Sequence, residues 1–148
     1  GEGACRIENG ELFLSSQSDS DAMLVKGADY ENFEFAVNVS LIEPLGEDAF
    51  GFLLLNQDAE IISRFTIEES EESFYLTDEK TSLKFALPKS FVPENYHQFR
   101  FFKTGKKIVL QLEEIILGET DARQGKARIG LFCKNSTAAF EKVRLTVF

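Results

Sequence analysis

Residues 96–114 read YHQFRFFKTGKKIVLQLEE, and this stretch decides the fold class. Every second side chain is apolar around Phe99 and Phe101, and the same alternation returns over residues 108–112. A period of two is typical of a β-strand with one buried face. Thr104-Gly105-Lys106, between the two runs, contains the glycine that a tight turn favours. The stretch therefore predicts an antiparallel hairpin packed against a core.

The rest of the chain repeats this pattern in shorter runs. Residues 33–41 alternate apolar and polar side chains, and residues 50–55 are almost continuously apolar, as in a central strand. Asn9-Gly10 favours a two-residue hairpin turn because both residues tolerate a positive φ. No segment predicts a helix. The predicted strands are residues 5–7, 12–14, 23–25, 33–41, 50–55, 61–67, 74–77, 83–87, 96–103, 107–113, 115–117, 128–133 and 137–148. Their spacing predicts an all-β chain, a two-sheet antiparallel β-sandwich of jelly-roll type.

Length and composition indicate one domain. The chain has 148 residues, of which 43% are hydrophobic and 28% charged, enough for both a core and a soluble surface. No apolar run approaches the roughly 20 residues of a membrane-spanning helix. The chain opens on Gly1 without a visible secretion signal, which leaves open that residues 1–148 were excised from a larger multidomain protein.

The net charge limits the classes of binding partner that we expect. The formal net charge is −9, which argues against nucleic acid, anionic membrane surfaces and strongly anionic polysaccharides. We therefore expect a neutral ligand or none. The 15 phenylalanines suit a sandwich core, whereas the absence of tryptophan removes a common platform for stacking a sugar ring.

Two cysteines, Cys5 and Cys133, lie far apart in the sequence. They are compatible with one disulfide that joins the first strand to a late one, or with two small buried side chains. Two isolated cysteines and a single histidine do not make a structural zinc site.

The order of motifs in the final third resembles a known family. Tyr96-His97-Gln98-Phe99-Arg100, Ala127-Arg128-Ile129-Gly130-Leu131-Phe132 and Ala139-Phe140-Glu141-Lys142-Val143 resemble segments of concanavalin A-like, laminin-G-like jelly rolls attached to secreted glycosidases. Cys5-Arg6-Ile7-Glu8-Asn9-Gly10 is similar to the start of the same group, which includes 3-keto-disaccharide hydrolase domains. Tyr96 replaces the usual tryptophan, and Glu113-Glu114 replaces the usual Asp-Gly turn.

The resemblance implies a non-catalytic carbohydrate-binding or accessory module. Such a module would bind a neutral sugar on a concave sheet face, next to a catalytic domain of the same bacterial chain. It would work outside the cytoplasm, whether secreted, periplasmic or at the cell surface. Strand alternation turns five polar or aromatic side chains outward as candidate ligand contacts, namely Arg64, Tyr75, Gln98, Arg100 and Gln111.

A calcium site is a further expectation. Ser18-Asp19-Ser20-Asp21 offers carboxylate and hydroxyl oxygens, the ligands that calcium prefers, with Asp19 and Asp21 as its metal ligands. Related jelly rolls hold a structural calcium. The same cluster is also an ordinary polar turn, so no cofactor is firmly predicted.

Two alternatives stay open beside the binding module. A glycoside hydrolase of the 3-keto-disaccharide type would need paired carboxylates, but no Glu-x-Asp-x-x-Glu run is present, and the one histidine, His97, has no nucleophile elbow beside it. We therefore predict no catalytic residue. A structural or dimerisation domain would need an outward apolar patch, for which alternation offers Phe102 and Phe132.

Overall fold

The computed structural model describes residues 3–8, 11–16, 22–25, 29–42, 49–58, 60–122, 125–134 and 136–148. These residues contain thirteen β-strands and no helix, which confirms the all-β prediction. The strands are β1 Gly3–Glu8, β2 Glu11–Ser16, β3 Ala22–Val25, β4 Asn32–Leu41, β5 Ala49–Leu55, β6 Ile61–Ser70, β7 Ser73–Asp78, β8 Leu83–Ala86, β9 His97–Thr104, β10 Lys107–Leu112, β11 Ile115–Asp121, β12 Arg128–Lys134 and β13 Ser136–Val147.

The strands form two antiparallel sheets. The seven-stranded sheet has the order β1-β2-β13-β4-β9-β10-β11, and the six-stranded sheet has the order β3-β12-β5-β6-β7-β8. The last strand of the chain lies between β2 and β4, so the sheets are built by crossovers as well as by hairpins. The arrangement confirms the predicted two-sheet jelly-roll sandwich.

The deciding hairpin forms as predicted. In β9 and β10, Phe101 pairs with Leu110, and Gly105 in the turn has a φ of 59°. Both side chains face the second sheet, where the ring of Phe52 lies 4.5 Å from the ring of Phe101 and 5.4 Å from that of Phe99. Phe52 belongs to β5, which lies between β12 and β6 and is therefore the predicted central strand. Tilted aromatic contacts thus join the two sheets across the core.

β6 and β11 continue into segments that the sequence pattern predicts as loops. β6 continues to Ser70, so only Glu71 and Glu72 form its turn, with φ values of 52° and 67°. β11 continues through the expected polar loop to Asp121, because its backbone pairs with β10 along nearly the whole of that strand. Backbone pairing with a full-length neighbour therefore outweighs the local polarity of these segments.

The core contains a lysine at the β9–β10 turn. Lys103 is 1% exposed, and its ammonium donates to the carbonyl oxygens of Glu31 at 3.0 Å, Gly105 at 2.5 Å and Gly125. Burial lowers the pKa of Lys103, against the attraction of the Glu31 carboxylate. Asp78 is also buried, and accepts a hydrogen bond from the Thr120 hydroxyl of the opposite sheet at 2.7 Å. Polar contacts thus close this end of the sandwich.

Three other expectations stand as follows. Glu8 pairs with Glu11, so β1 and β2 form the predicted two-residue hairpin, although Asn9 and Gly10 lie outside the described residues. Cys133 is buried, but the side chain of Cys5 lies outside the described part, so the disulfide stays a prediction. Within that part, no helix is long and apolar enough to cross a membrane.

Candidate functional site

The five predicted ligand contacts do not share one face. Gln98 and Arg100 lie on β9 and Gln111 on β10, all in the seven-stranded sheet, whereas Arg64 and Tyr75 lie on β6 and β7 of the six-stranded sheet. Their outward faces are on opposite sides of the sandwich. Strand alternation assigns a side chain to a face of its own sheet, but it does not tell which sheet the strand joins. One ligand therefore cannot contact all five residues on a single face.

On the seven-stranded sheet, strand register brings three of the candidates together. Arg100 pairs with Gln111 across β9 and β10, and Gln98 precedes Arg100 on the same face. With Glu113 and Glu114 they line a depression of about 410 Å³, the β9–β10 depression, whose surface is mostly polar. This is the part of the predicted site that the structure assembles.

Arg100 is oriented by its neighbours. Its Nε donates to the Gln98 side-chain oxygen at 3.0 Å, and its Nη1 lies 3.6 Å from a carboxylate oxygen of Glu34 on β4. Arg144 of β13 approaches the same Glu34 oxygen at 3.8 Å. Ala36 lies between the two arginines in the register and is only 1% exposed. The guanidinium of Arg100 is thus held by Gln98 and Glu34, and its Nη2 has no hydrogen-bond partner among the described residues.

Glu113 is a functional candidate that is not among the ligand contacts predicted from the sequence. Its backbone has a φ of 53°, its N–H donates to the carbonyl of Gln98 at 2.8 Å, and its own carbonyl accepts from the Gln111 side chain at 2.5 Å. One carboxylate oxygen lies 2.5 Å from Nδ1 of His97. The signal that finds it is parity, because Glu113 is two residues beyond the outward-facing Gln111.

The ring of His97 is enclosed by neighbouring residues rather than open to the depression. It is 9% exposed, and its ring lies 4.8 Å from that of Phe91. Its Nε2 lies 3.0 Å from the Val92 amide nitrogen and 3.1 Å from the Val92 carbonyl oxygen, while Nδ1 faces Glu113. Because both ring nitrogens already have protein partners, His97 does not present a base to the depression.

Arg64 and Tyr75 belong to a different arrangement, the β6–β7 cluster. It consists of outward side chains of the six-stranded sheet, Arg64, Thr66, Glu68, Tyr75, Thr77, Glu79 and Lys84. Thr66 donates to Glu79 at 2.5 Å, and Thr77 donates to Glu68 at 3.2 Å. The guanidinium of Arg64 lies 5.0 Å from the ring centroid of Phe132. Most polar groups of this cluster are therefore bonded to one another.

The calcium prediction is not tested. Asp19 and Asp21 lie outside the described residues. Within the residues that the structure does describe, no group of three or more His, Cys, Asp or Glu side chains could hold a metal ion. The site at residues 18–21 stays a prediction.

A second depression lies at the edge of the seven-stranded sheet. It measures about 420 Å³ and is lined by Lys106, Lys107, Glu119, Thr120 and Asp121. Lys107 and Glu119 form an exposed ion pair across it at 3.1 Å, and its surface is mostly apolar. It contains none of the predicted contacts.

Known structures share the fold of this chain, whereas comparison by sequence found no relative. No protein-family model matches the chain, and no curated protein matches it in sequence. A carbohydrate-binding module, CBM66, from Bacillus subtilis has a TM-score of 0.70 at 13% identity, over 97% of this chain and 91% of that one. A functionally unknown Saccharomyces cerevisiae protein has a TM-score of 0.71 at 11% identity, over 99% and 97%. The kappa-carrageenase of Pseudoalteromonas carrageenovora has a TM-score of 0.66 at 12% identity, over 97% and 82%.

These likenesses show the architecture. The chain has the concanavalin A-like jelly-roll fold that carbohydrate-binding modules and glycoside hydrolases also use. At such identities a shared fold does not carry function, because one fold supports many sites. The function must therefore be inferred from the geometry and chemistry of the β9–β10 depression.

Proposed function

We propose that this domain is a non-catalytic carbohydrate-binding module that holds a neutral sugar in the β9–β10 depression. The observation that carries the proposal is the set of polar groups that Gln98, Arg100 and Gln111 present there side by side. Sugar hydroxyls both donate and accept hydrogen bonds, and planar amide and guanidinium groups pair with adjacent hydroxyls. The depression thus has the chemistry that a polyhydroxylated ligand requires.

Donors and acceptors are both present and partly oriented. The Gln98 oxygen is engaged by Arg100, which leaves the Gln98 amide N–H groups as donors. The Gln111 amide nitrogen is engaged by the Glu113 carbonyl, which leaves the Gln111 oxygen as an acceptor. Side chains that are already fixed lose less conformational entropy on binding, so the internal bonds favour recognition.

Among the described residues no aromatic ring lines the depression, so we expect recognition to depend on hydrogen bonds. Phe102 lies one row away, paired with Val109 and Glu34, and is half-buried. A ligand longer than one sugar unit would extend along the sheet toward this ring. We therefore expect oligosaccharides to bind more tightly than monosaccharides.

The setting of the module belongs to the same proposal. We infer a place beside a catalytic domain in a secreted, periplasmic or cell-surface bacterial protein, in line with the structural likeness to the CBM66 module and to the kappa-carrageenase. A hydrolytic role has less support here. Glycosidases place two carboxylates on either side of the scissile bond, whereas Glu113 and Glu114 are consecutive residues of one turn.

A structural role through an outward apolar patch also loses its basis. Phe102 lies on β9 of the seven-stranded sheet and Phe132 on β12 of the six-stranded sheet, so they cannot form one patch. Phe132 is moreover 0% exposed. The predicted dimerisation surface of these two residues is therefore corrected.

The proposal is tested by isothermal titration calorimetry with a panel of neutral mono- and oligosaccharides. For a sugar that binds, Arg100→Ala and Gln111→Ala should each weaken the affinity, Arg100→Ala by about tenfold or more, since a hydrogen bond from a charged group contributes about 1.5–3 kcal/mol. Arg64→Ala and Tyr75→Phe on the opposite sheet serve as controls and should change the affinity less than about twofold.

Each result decides between the readings. Loss of binding only in the Arg64 and Tyr75 variants would move the site to the β6–β7 cluster. A parent domain that binds no sugar even at tens of millimolar would reject the carbohydrate-binding function.

A further inference from the structure

Glu113 contacts two other lining residues of the depression, Gln98 and Gln111, and also His97 beside it. Its carboxylate contacts His97, its N–H contacts the Gln98 carbonyl, and its own carbonyl contacts the Gln111 side chain. Its side chain is nevertheless 55% exposed, and only one carboxylate oxygen is engaged. The second oxygen, Oε2, has no partner within the described part of the chain. Glu113 therefore offers a fixed and open acceptor at the edge of the depression.

His97 determines where that carboxylate lies. The ring packs on Phe91, and its Nε2 lies 3.0 Å from the Val92 amide nitrogen and 3.1 Å from the Val92 carbonyl oxygen. A carboxylate oxygen only accepts hydrogen bonds, so the 2.5 Å contact with the Glu113 oxygen requires a proton on Nδ1 of the ring. The ring cannot rotate without breaking the Val92 contact. His97 is thus anchored on one side and orients Glu113 on the other.

The charges around the depression are unequal. Arg100 is the one cation among the described lining residues, and a Glu34 oxygen already lies 3.6 Å from that guanidinium. Glu113 and Glu114 line the same depression, and among the described residues neither forms a salt bridge with a lysine or an arginine. The local field therefore disfavours an anionic ligand.

We propose that Glu113 is the specificity-determining residue of the depression, which accepts a hydroxyl of a neutral sugar and excludes sugars that carry a carboxylate, and that His97 is its positioning residue. This inference rests on the proposed sugar-binding function. It adds the residue that selects the class of sugar and the contact that holds it.

The first test removes the charge of Glu113 and keeps its shape. Glu113→Gln retains an oxygen acceptor toward His97, so we expect the dissociation constant for a neutral oligosaccharide to stay within about threefold. For an oligosaccharide of the same length that contains a uronic acid, calorimetry at low salt should show about a tenfold gain or more. Glu68→Gln, on the opposite sheet, changes the net charge equally and should leave both affinities unchanged.

The second test separates the two sides of the His97 ring. His97→Asn keeps an amide donor near the position of Nδ1, toward Glu113, whereas His97→Gln keeps an amide near the position of Nε2, toward Val92. Both variants should melt at lower temperature than the parent domain. We expect His97→Asn to retain neutral-sugar affinity within about threefold and His97→Gln to lose about tenfold.

A spectroscopic measurement checks the geometry without any sugar. His97 is the only histidine of the chain, so the imidazole ¹⁵N signals need no assignment by mutagenesis. The signals of the neutral ring should show the Nδ1–H tautomer. An Nε2–H tautomer, or equal losses of affinity in His97→Asn and His97→Gln, would overturn the positioning role.

The outcomes also separate this inference from the proposed function. If the parent domain and its Arg100→Ala variant behave as proposed but Glu113→Gln keeps the discrimination against the uronic acid, only the role of Glu113 is wrong. If the parent domain binds no sugar, both proposals are overturned.

Discussion

The outward faces of the two sheets carry similar polar side chains, but they differ in how many hydrogen-bonding groups already have a protein partner. On the seven-stranded sheet, Gln98, Arg100 and Gln111 are half-buried and surround a depression. On the six-stranded sheet, Thr66 and Thr77 are 4% and 6% exposed. They donate hydrogen bonds to the carboxylates of Glu79 and Glu68 beside them. The first face keeps donors and acceptors unbonded within the described residues, whereas the second uses most of its polar groups internally.

This difference indicates which of the two polar faces is suited to binding a ligand. A group that already has a good partner must break that contact before it binds another molecule, and the exchange yields little free energy. The six-stranded face also buries Leu53 and Phe132 completely, which makes it resemble a second small core. Polar composition alone therefore does not identify a binding face; the state of its hydrogen bonds does.

The largest change in the free energy of unfolding is expected when a phenylalanine is replaced by alanine, and it should differ between the two faces. Phe132→Ala should lower the free energy of unfolding by about 3–5 kcal/mol, because it empties a fully buried position under Arg64. Phe102→Ala, at a half-buried position of the seven-stranded face, should cost about 1 kcal/mol. Urea denaturation of both variants measures the difference. Equal costs would show that the six-stranded face has no core of its own.

The second effect concerns close packing of the backbone. Gly51, paired with Phe132 and Thr66, has no room for a side chain, since a Cβ there would lie 2.0 Å from the carbonyl oxygen of Phe65. Gly51→Ala should therefore cost about 2–3 kcal/mol in urea denaturation. Gly125→Ala is the control, because a Cβ there meets nothing within 4 Å, and should change stability by less than about 0.5 kcal/mol. A neutral Gly51→Ala would show that β5 and β6 can separate at this point.

These contrasts also show how far the sequence could predict the molecule. Alternation around Phe99 and Phe101, with a glycine turn at Gly105, was enough for the fold, because strand period and turn chemistry are local properties. Alternation also assigned Gln98, Arg100 and Gln111 to one face. It could not assign Arg64 and Tyr75 to the other sheet, because sheet order depends on pairings between strands that are distant in sequence.

Two features of the candidate site lie beyond such local patterns. The contact between His97 and Glu113 joins a strand to a turn 16 residues later, and no sequence periodicity records it. The burial of Phe132 on an outward position is likewise tertiary, since alternation predicts which way a side chain points but not what covers it.

The third effect tests whether the six-stranded face is bonded internally. Thr66→Val keeps the shape of the side chain and removes its hydrogen bond to Glu79, so we expect a cost of about 1 kcal/mol. Thr77→Val removes a longer hydrogen bond, of 3.2 Å to Glu68, and should cost about half as much. A double-mutant cycle of Thr66→Val with Glu79→Gln gives the coupling between the two groups. A coupling near zero would mean that Glu79 is available to a ligand after all.

The smallest effect belongs to the edge of the seven-stranded face. Arg144 approaches Glu34 at 3.8 Å, but its side chain is 58% exposed, and Glu34 keeps Arg100 as a second partner. Exposed ion pairs at this distance contribute little, so Arg144→Gln should change the free energy of unfolding by less than about 0.5 kcal/mol. Sugar affinity should also stay within about twofold, because Arg100 retains Gln98 and Glu34. A loss above about 1 kcal/mol in urea denaturation would instead show that both arginines are needed to hold Glu34. The seven-stranded face would then be an interdependent network like the opposite one, and the unbonded groups of the depression would depend on residues two strands away.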